Sequence, residues 1–173
     1  MLIECESCGR EFERRSLRGR VPRFCGQTCR KRASRAVKAP FANDKRVWVR
    51  ASGKRPIMVD GSAASSTDPA TWVSFAEVQS GAGDGFGVML GDGLACIDLD
   101  HCFDSGGELL PWASSAIESV KPVFIERSLS GAGVHVFHEQ GPARYRRDVF
   151  GAGKVEWFSH SRFIRTTLDS FKL

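Results

Sequence analysis

Asp98 and Asp100 flank a single leucine in the segment CIDLD, and they are the first side chains whose type and spacing point to chemistry. In a strand, residues i and i+2 share a face. Both carboxylates then point one way, while Ile97 and Leu99 point the other way into a core. Carboxylates held side by side repel each other unless a cation lies between them. A hard, oxygen-seeking ion such as Mg²⁺ or Mn²⁺ is the natural occupant. The same pattern also fits a solvated strand end with two surface acids.

Two later features extend this reading. Ser128-Leu129-Ser130-Gly131-Ala132-Gly133-Val134-His135 is a glycine-rich turn feeding a strand. Gly131 and Gly133 let backbone N–H groups approach an anion closely, and Ser130 adds a hydroxyl. His135 lies between Val134 and Val136 and faces away from both, as Asp98 faces away from Ile97. Further on, Val155-Glu156-Trp157-Phe158 sets one carboxylate in an apolar strand. Taken singly, each has an ordinary alternative: a plain turn, a sheet histidine, an edge glutamate. Their order along one chain makes the combination more informative than any member.

The cysteines suggest a second metal. Cys5-x2-Cys8 and Cys25-x3-Cys29 are two close pairs separated by sixteen residues. Four thiolates close a tetrahedral Zn²⁺ site, with each short knuckle supplying two ligands. A segment this small has too little apolar content to fold alone, so the metal would supply folding energy. Cys96 and Cys102 lie elsewhere and read as a sheet residue and a loop residue. Arg30, Lys31, Arg32 and Arg35 follow the second knuckle on a predicted short helix and could meet phosphates. A solvated basic face is the alternative. The segment RFCGQTCRKRASR resembles small zinc fingers fused to many bacterial and phage proteins.

Charge separates the same two regions. The chain has 173 residues and a net charge of +5. Residues 1–39 carry eleven Lys and Arg against four Asp and Glu, and residues 40–173 carry fourteen against sixteen. The whole positive excess therefore sits in the first part, which points to a polyanion, with nucleic acid first. No apolar run approaches a membrane span, and the N-terminus lacks the pattern of a signal peptide. A cytoplasmic, reducing setting is expected, with no membrane partner.

These features divide the chain into a four-cysteine zinc-binding module over 1–38, a linker over 39–44 and a catalytic domain over 45–173. In the third part, RVWVRA (46–51) alternates like a strand. Thr67-Asp68-Pro69 opens a predicted helix running past Phe75. Residues 86–90 and 94–100, joined by Gly91-Asp92-Gly93, predict a β-hairpin. A helix is expected over 111–120, and strands over 123–128, 134–138, 155–158 and 162–166. Residues 141–153 read as a polar loop. The pattern is α+β with a mostly antiparallel sheet.

On these residues the chain resembles the phage and plasmid primase-polymerases of the archaeo-eukaryotic primase superfamily. The acidic pair matches Asp98 and Asp100, the serine–glycine–histidine motif matches Ser130 to His135, and the third acid matches Glu156. The flanks KRPIMVDGSAASSTDPATW and VEWFSHSRFIRTT are also similar, so the resemblance covers about residues 45–168. It implies an RRM-like palm and template-directed nucleotidyl transfer. Asp98, Asp100 and Glu156 would hold Mg²⁺ or Mn²⁺. His135, Ser130 and the glycine turn would meet the nucleotide's phosphates, with Arg162 as a further phosphate ligand. The implied activity is synthesis of primers or short strands on single-stranded DNA from dNTP or NTP in phage or plasmid replication. A phage-encoded chain would act in the host cytoplasm.

The chain ends soon after the third motif and has no Walker-type phosphate loop, so any helicase is expected to be a separate protein. Two other functions fit the same residues. One is a metal-dependent nuclease, since two carboxylates, a glutamate and a histidine can also hydrolyse phosphodiesters. The other is a non-catalytic DNA-binding accessory protein acting through its zinc module.

Overall fold

The computed structural model describes residues 2–5, 8–13, 21–35, 39–43 and 45–173, with the backbone alone for 32–35. The chain divides into two compact units, Met1–Lys38 and Ala39–Leu173. In the first, strands β1 (Leu2–Glu4) and β2 (Glu11–Glu13) pair antiparallel and are followed by helix α1 (Gln27–Arg35). The turn between the two strands carries Cys5 and Cys8, and Cys29 lies in the first turn of α1. Among the described residues of this unit only Cys5 and Cys29 are buried.

The second unit is built from two antiparallel sheets and few helices. Strands β3 (Trp48–Ser52) and β4 (Arg55–Ile57) come first. The helix expected to start at Asp68 breaks into two pieces. A single 3-10 turn spans Pro69–Thr71, capped by the Asp68 side chain. Val73 then pairs with Trp48 in extended form. Helix α2 (Phe75–Val78) starts anew behind Ser74, which exchanges capping-box bonds with Glu77. The extended pairing with β3 is what interrupts the helix.

Strands β5 (Gly85–Met89) and β6 (Leu94–Asp100) follow. The tight turn between them forms, with Asp92 and Gly93 both at positive φ and Leu94 bonded back to Gly91. The expected hairpin ladder does not. β5 pairs with β3 and later with β11, whereas β6 enters the other sheet. Helix α3 (Pro111–Glu118) precedes β7 (Pro122–Arg127) and β8 (Val134–Glu139). The segment expected to be a loop contains strand β9 (Arg146–Phe150), paired with β10 (Gly153–Phe158). Strand β11 (Phe163–Thr166) ends the order.

The larger sheet runs β7-β8-β6-β10-β9 and the smaller β11-β5-β3-β4. One face of the larger sheet packs on α3: Ile97, Leu99, Val134, Val136 and Val155 join Ala113, Ala116 and Ile117. On the other face Cys96 and Phe137 join Trp48, Val88, Leu90 and Ile164 of the smaller sheet. Residues read as a linker contribute here, a correction to the sequence reading. Ala39 and Phe41 are buried, and the Phe41 ring lies 4.4 Å from that of Phe137. Among the described residues no helix is long and apolar enough to cross a membrane.

Candidate active site

The alternation in β6 behaves as the sequence suggests. Ile97 and Leu99 are fully buried on the α3 face, and Asp98 and Asp100 are partly exposed on the opposite one. Strand pairing then does the rest. Asp98 lies directly opposite His135 of β8 on one side and Glu156 of β10 on the other. His135 in turn lies opposite Glu126 of β7, and Glu156 opposite Arg147 of β9. Five polar residues therefore form one line across five strands: Glu126, His135, Asp98, Glu156, Arg147. One step along the sheet, Asp100 lies opposite Lys154.

Carboxylate oxygens of Asp98, Asp100 and Glu156 approach within 4.8 Å of one another, a donor set able to hold a metal ion. All three are hard oxygen ligands, which suits Mg²⁺ or Mn²⁺. The protein's own cation stands among them. Lys154 Nζ donates to Glu156 Oε2 at 2.5 Å and lies 2.9 Å from Asp100 Oδ2. Tyr145 donates its hydroxyl to Glu156 Oε1 at 2.7 Å. Burial pushes the Asp98 carboxyl above its ordinary range; the charges of Asp100 and Glu156 add to this, and His135 opposes it. Burial pushes Glu156 the same way, but bonds from Lys154 and Tyr145 outweigh it and hold the group low. Those bonds to Glu156 and Asp100 also raise Lys154. The oxygens nearest one another thus carry unequal affinities for protons.

His135 is held from behind by a residue the sequence reading did not select. Glu126 is fully buried. Its Oε2 accepts the Thr166 hydroxyl and the backbone N–H groups of Thr167 at 3.1 Å and Leu168 at 2.9 Å. Its Oε1 lies 2.8 Å from His135 Nδ1. With donors converging on this carboxyl, the Nδ1–H of His135 donates to it. Nε2 is left facing the acids, 3.7 Å from Asp98 Oδ1. Burial pulls the imidazole down, but the Glu126 bond and the Asp98 charge more than offset that, so protonation is favoured.

The acids open into a cavity of about 410 Å³. That lies within the usual ~300–1,000 Å³ of small-ligand sites. Asp98, Asp100, His135, Lys154 and Glu156 line the wall formed by the larger sheet. Lys54, Arg162 and Arg165 line it from the β3–β4 turn and the β11 region. One wall is therefore mainly anionic and the other cationic. Arg162 sits over the Phe158 ring at 4.6 Å, and Arg165 is fixed by Asp84 at 3.0 Å.

The glycine-rich turn contributes differently from expectation. Gly131 N–H donates to Ser128 O at 2.9 Å, and Ala132 N–H to Ser130 Oγ at 3.3 Å. These amides are used within the turn, and the hydroxyl-bearing Ser128 and Ser130 line the cavity instead of the glycines. Gly133 has a packing role. A Cβ there would lie 2.4 Å from Leu99 O, so only glycine lets β8 come this close to β6.

In the first unit the ligand atoms of Cys5, Cys8, Cys25 and Cys29 lie within 4.8 Å of one another. The Sγ atoms of Cys25 and Cys29 are 3.5 Å apart, and those of Cys8 and Cys25 are 3.8 Å apart. Four sulfurs at ~2.3 Å from a tetrahedral zinc are separated by about 3.8 Å, so the cluster fits Zn²⁺. Crowding by Cys29 and Cys5 pushes the Cys25 thiol up to about 12. Arg30 and Lys31 are exposed on α1; the side chains of Arg32 and Arg35 lie outside the described residues. Cys102 is buried, and its thiol is pushed up to about 11 by that burial, so it is unreactive.

The chain is 37% identical over 84 residues to a DNA primase-polymerase of Nitratiruptor phage NrS-1. This similarity supports a primase-polymerase relationship. The match covers 44% of this chain and 12% of that protein. No family model matches the chain.

Proposed function

We propose that residues 39–173 form the catalytic domain of a phage- or plasmid-type primase-polymerase, with an RRM-like palm, and that residues 1–38 form a zinc module that grips DNA. The observation that carries the reading is the row Glu126–His135–Asp98–Glu156, with a cationic wall facing it across the cavity. A triphosphate accompanied by divalent metal needs carboxylates on one side and cations on the other. The similarity to the NrS-1 phage protein points the same way.

In this reading Asp98, Asp100 and Glu156 hold two Mg²⁺ or Mn²⁺ ions. An ion bound there would supply activation of an attacking hydroxyl and stabilisation of charge on the leaving oxygens. His135 Nε2–H, held in line by Glu126, donates to a phosphate oxygen. The hydroxyls of Ser128 and Ser130 and the side chains of Lys54, Arg162 and Arg165 neutralise the remaining phosphate charge. Lys154 gives up its place between Asp100 and Glu156 and turns towards the phosphates. The 3′-hydroxyl of a strand paired to single-stranded template attacks the α-phosphorus in line, and pyrophosphate leaves.

Purified protein with Mn²⁺ or Mg²⁺, single-stranded DNA and labelled dNTP or NTP should produce short labelled strands. Asp98→Ala together with Asp100→Ala should abolish them. Undiminished synthesis by the double variant would sink the assignment, and template degradation without nucleotides would turn it towards nuclease chemistry.

A further inference from the structure

The polar row is closed at one end and open at the other. At the Glu126 end it is covered by residues 166–168, whose donors saturate the buried carboxylate. At the Arg147 end the sheet stops at β9, an edge strand on which Arg146, Arg147, Val149 and Phe150 are exposed, as is Tyr145 just before it. A nucleotide fits the cavity, but a polymer must approach across the open end.

The side chains at this end suit one kind of polymer. Arg147 stands directly opposite Glu156, and Arg144 precedes the strand; both are exposed. Among the described residues neither guanidinium is within ion-pair distance of a carboxylate, whereas Arg146 is tied to Asp148 at 2.5 Å and lies over Trp157. Between the two arginines, the Tyr145 ring is half exposed. It is anchored by its hydroxyl on Glu156 and stacked on Phe158, with centroids 5.3 Å apart. An aromatic face flanked by unpaired guanidiniums is how proteins track a single strand, with bases stacking and phosphates pairing. The ledge also touches a proposed metal ligand, so a strand lying on it would reach the reacting centre.

We infer that the β9 edge, through Arg144, Tyr145 and Arg147, binds single-stranded DNA and feeds it to the acidic site from the side opposite His135. This rests on the nucleotidyl-transfer reading and adds a direction to it: nucleotide phosphates at the β8 turn and the β11 wall, polymer over β9.

The test uses the full chain and a labelled single-stranded oligonucleotide. Binding is measured by anisotropy against salt for the wild type, Arg144→Ala/Arg147→Ala and Arg144→Lys/Arg147→Lys. Each phosphate contact contributes a slope of about 0.7 in log K against log salt for single strands. The alanine pair should therefore flatten the slope by about 1.4, while the lysine pair keeps it. In the incorporation assay the alanine pair should raise KM for template about tenfold. An unchanged slope and template KM, in a wild type that does incorporate nucleotides, overturn the β9 assignment and leave the nucleotidyl-transfer reading standing. A wild type that neither binds nor incorporates overturns both. Equal competition by polyglutamate at matched charge overturns the choice of nucleic acid as occupant.

Discussion

Glu126→Gln isolates the buried carboxylate from the shape that it fills. In the native protein Oε2 serves the donors of residues 166–168 and Oε1 receives Nδ1–H of His135. A glutamine has one acceptor end and one donor end. The donors at 166–168 outnumber the one from His135, so the amide oxygen turns to them and the NH₂ turns to His135. Nδ1 must then accept, and the imidazole proton moves to Nε2 in the neutral ring. One charge-assisted hydrogen bond, worth about 1.5–3 kcal/mol, is exchanged for a neutral one worth about 0.5–1.5 kcal/mol. The difference, roughly 1–2 kcal/mol, should lower the melting temperature by several degrees, and the loss of positive charge on the ring facing the phosphates should lower kcat/KM for nucleotide about tenfold. Histidine ¹⁵N spectra should show His135 passing from a form protonated at Nδ1 to the Nε2–H tautomer. Glu126→Ala leaves the loop donors unpaired and should destabilise the fold by several kcal/mol, at about 1–3 kcal/mol for each buried orphan. If Glu126→Gln keeps the native ¹⁵N pattern and kcat/KM stays within twofold, the positioning argument is refuted.

Three further outcomes follow from other parts of the molecule. Lys154→Met removes the ammonium between Asp100 and Glu156, so Mn²⁺ measured by calorimetry without nucleotide should bind about tenfold more tightly, since hydrogen bonds to charged groups contribute about 1.5–3 kcal/mol; equal affinity would show that the lysine does not compete. Burial holds His138 below its ordinary value of 6.5, so the folded state prefers the neutral ring. Its contribution to stability is complete above pH 6.5 and is lost as pH falls through the lower folded value. His138→Leu should make the melting temperature less sensitive to acid across that window, and parallel pH curves would contradict this. Chelation should release one zinc per chain and abolish the transition of residues 1–38 while the 39–173 unit melts as before; a shift of both transitions would argue against independent units.

The alternating faces of β6 and β10 were legible because alternation is local and the apolar partners are strong, whereas β8 is buried on both faces as far as His138. The shared face of Asp98 and Asp100 was read that way, and the convergence of these two with His135 and Glu156 is the product of strand order. Glu126 was not legible. In PVFIER it looks like the exposed phase of a strand, and its burial is imposed by residues forty positions later. Lys154 was nearer to hand, since it shares a face with Glu156 at i−2. The hairpin expected from Gly91-Asp92-Gly93 shows the limit clearly. The turn is encoded in three residues, but which strands pair afterwards is decided by Trp48 and Ile164 at long range. Strand β9 was hidden by its polarity: an edge strand facing solvent needs no apolar alternation.

The row across the sheet also bears on how this site could change over time. Its members owe their spacing to ladder pairing, about 4.8 Å per strand, and not to the loops that connect the strands. Connections such as residues 101–110 or 140–144 can therefore lengthen, shorten or be exchanged with little movement of the acids. A one-residue slip in β6 or β10, by contrast, would turn a carboxylate to the α3 face and dismantle the site at once. Variation among descendants of this chain should accordingly gather in the loops and leave strand lengths untouched, so new template preferences can arise while the chemistry stays fixed.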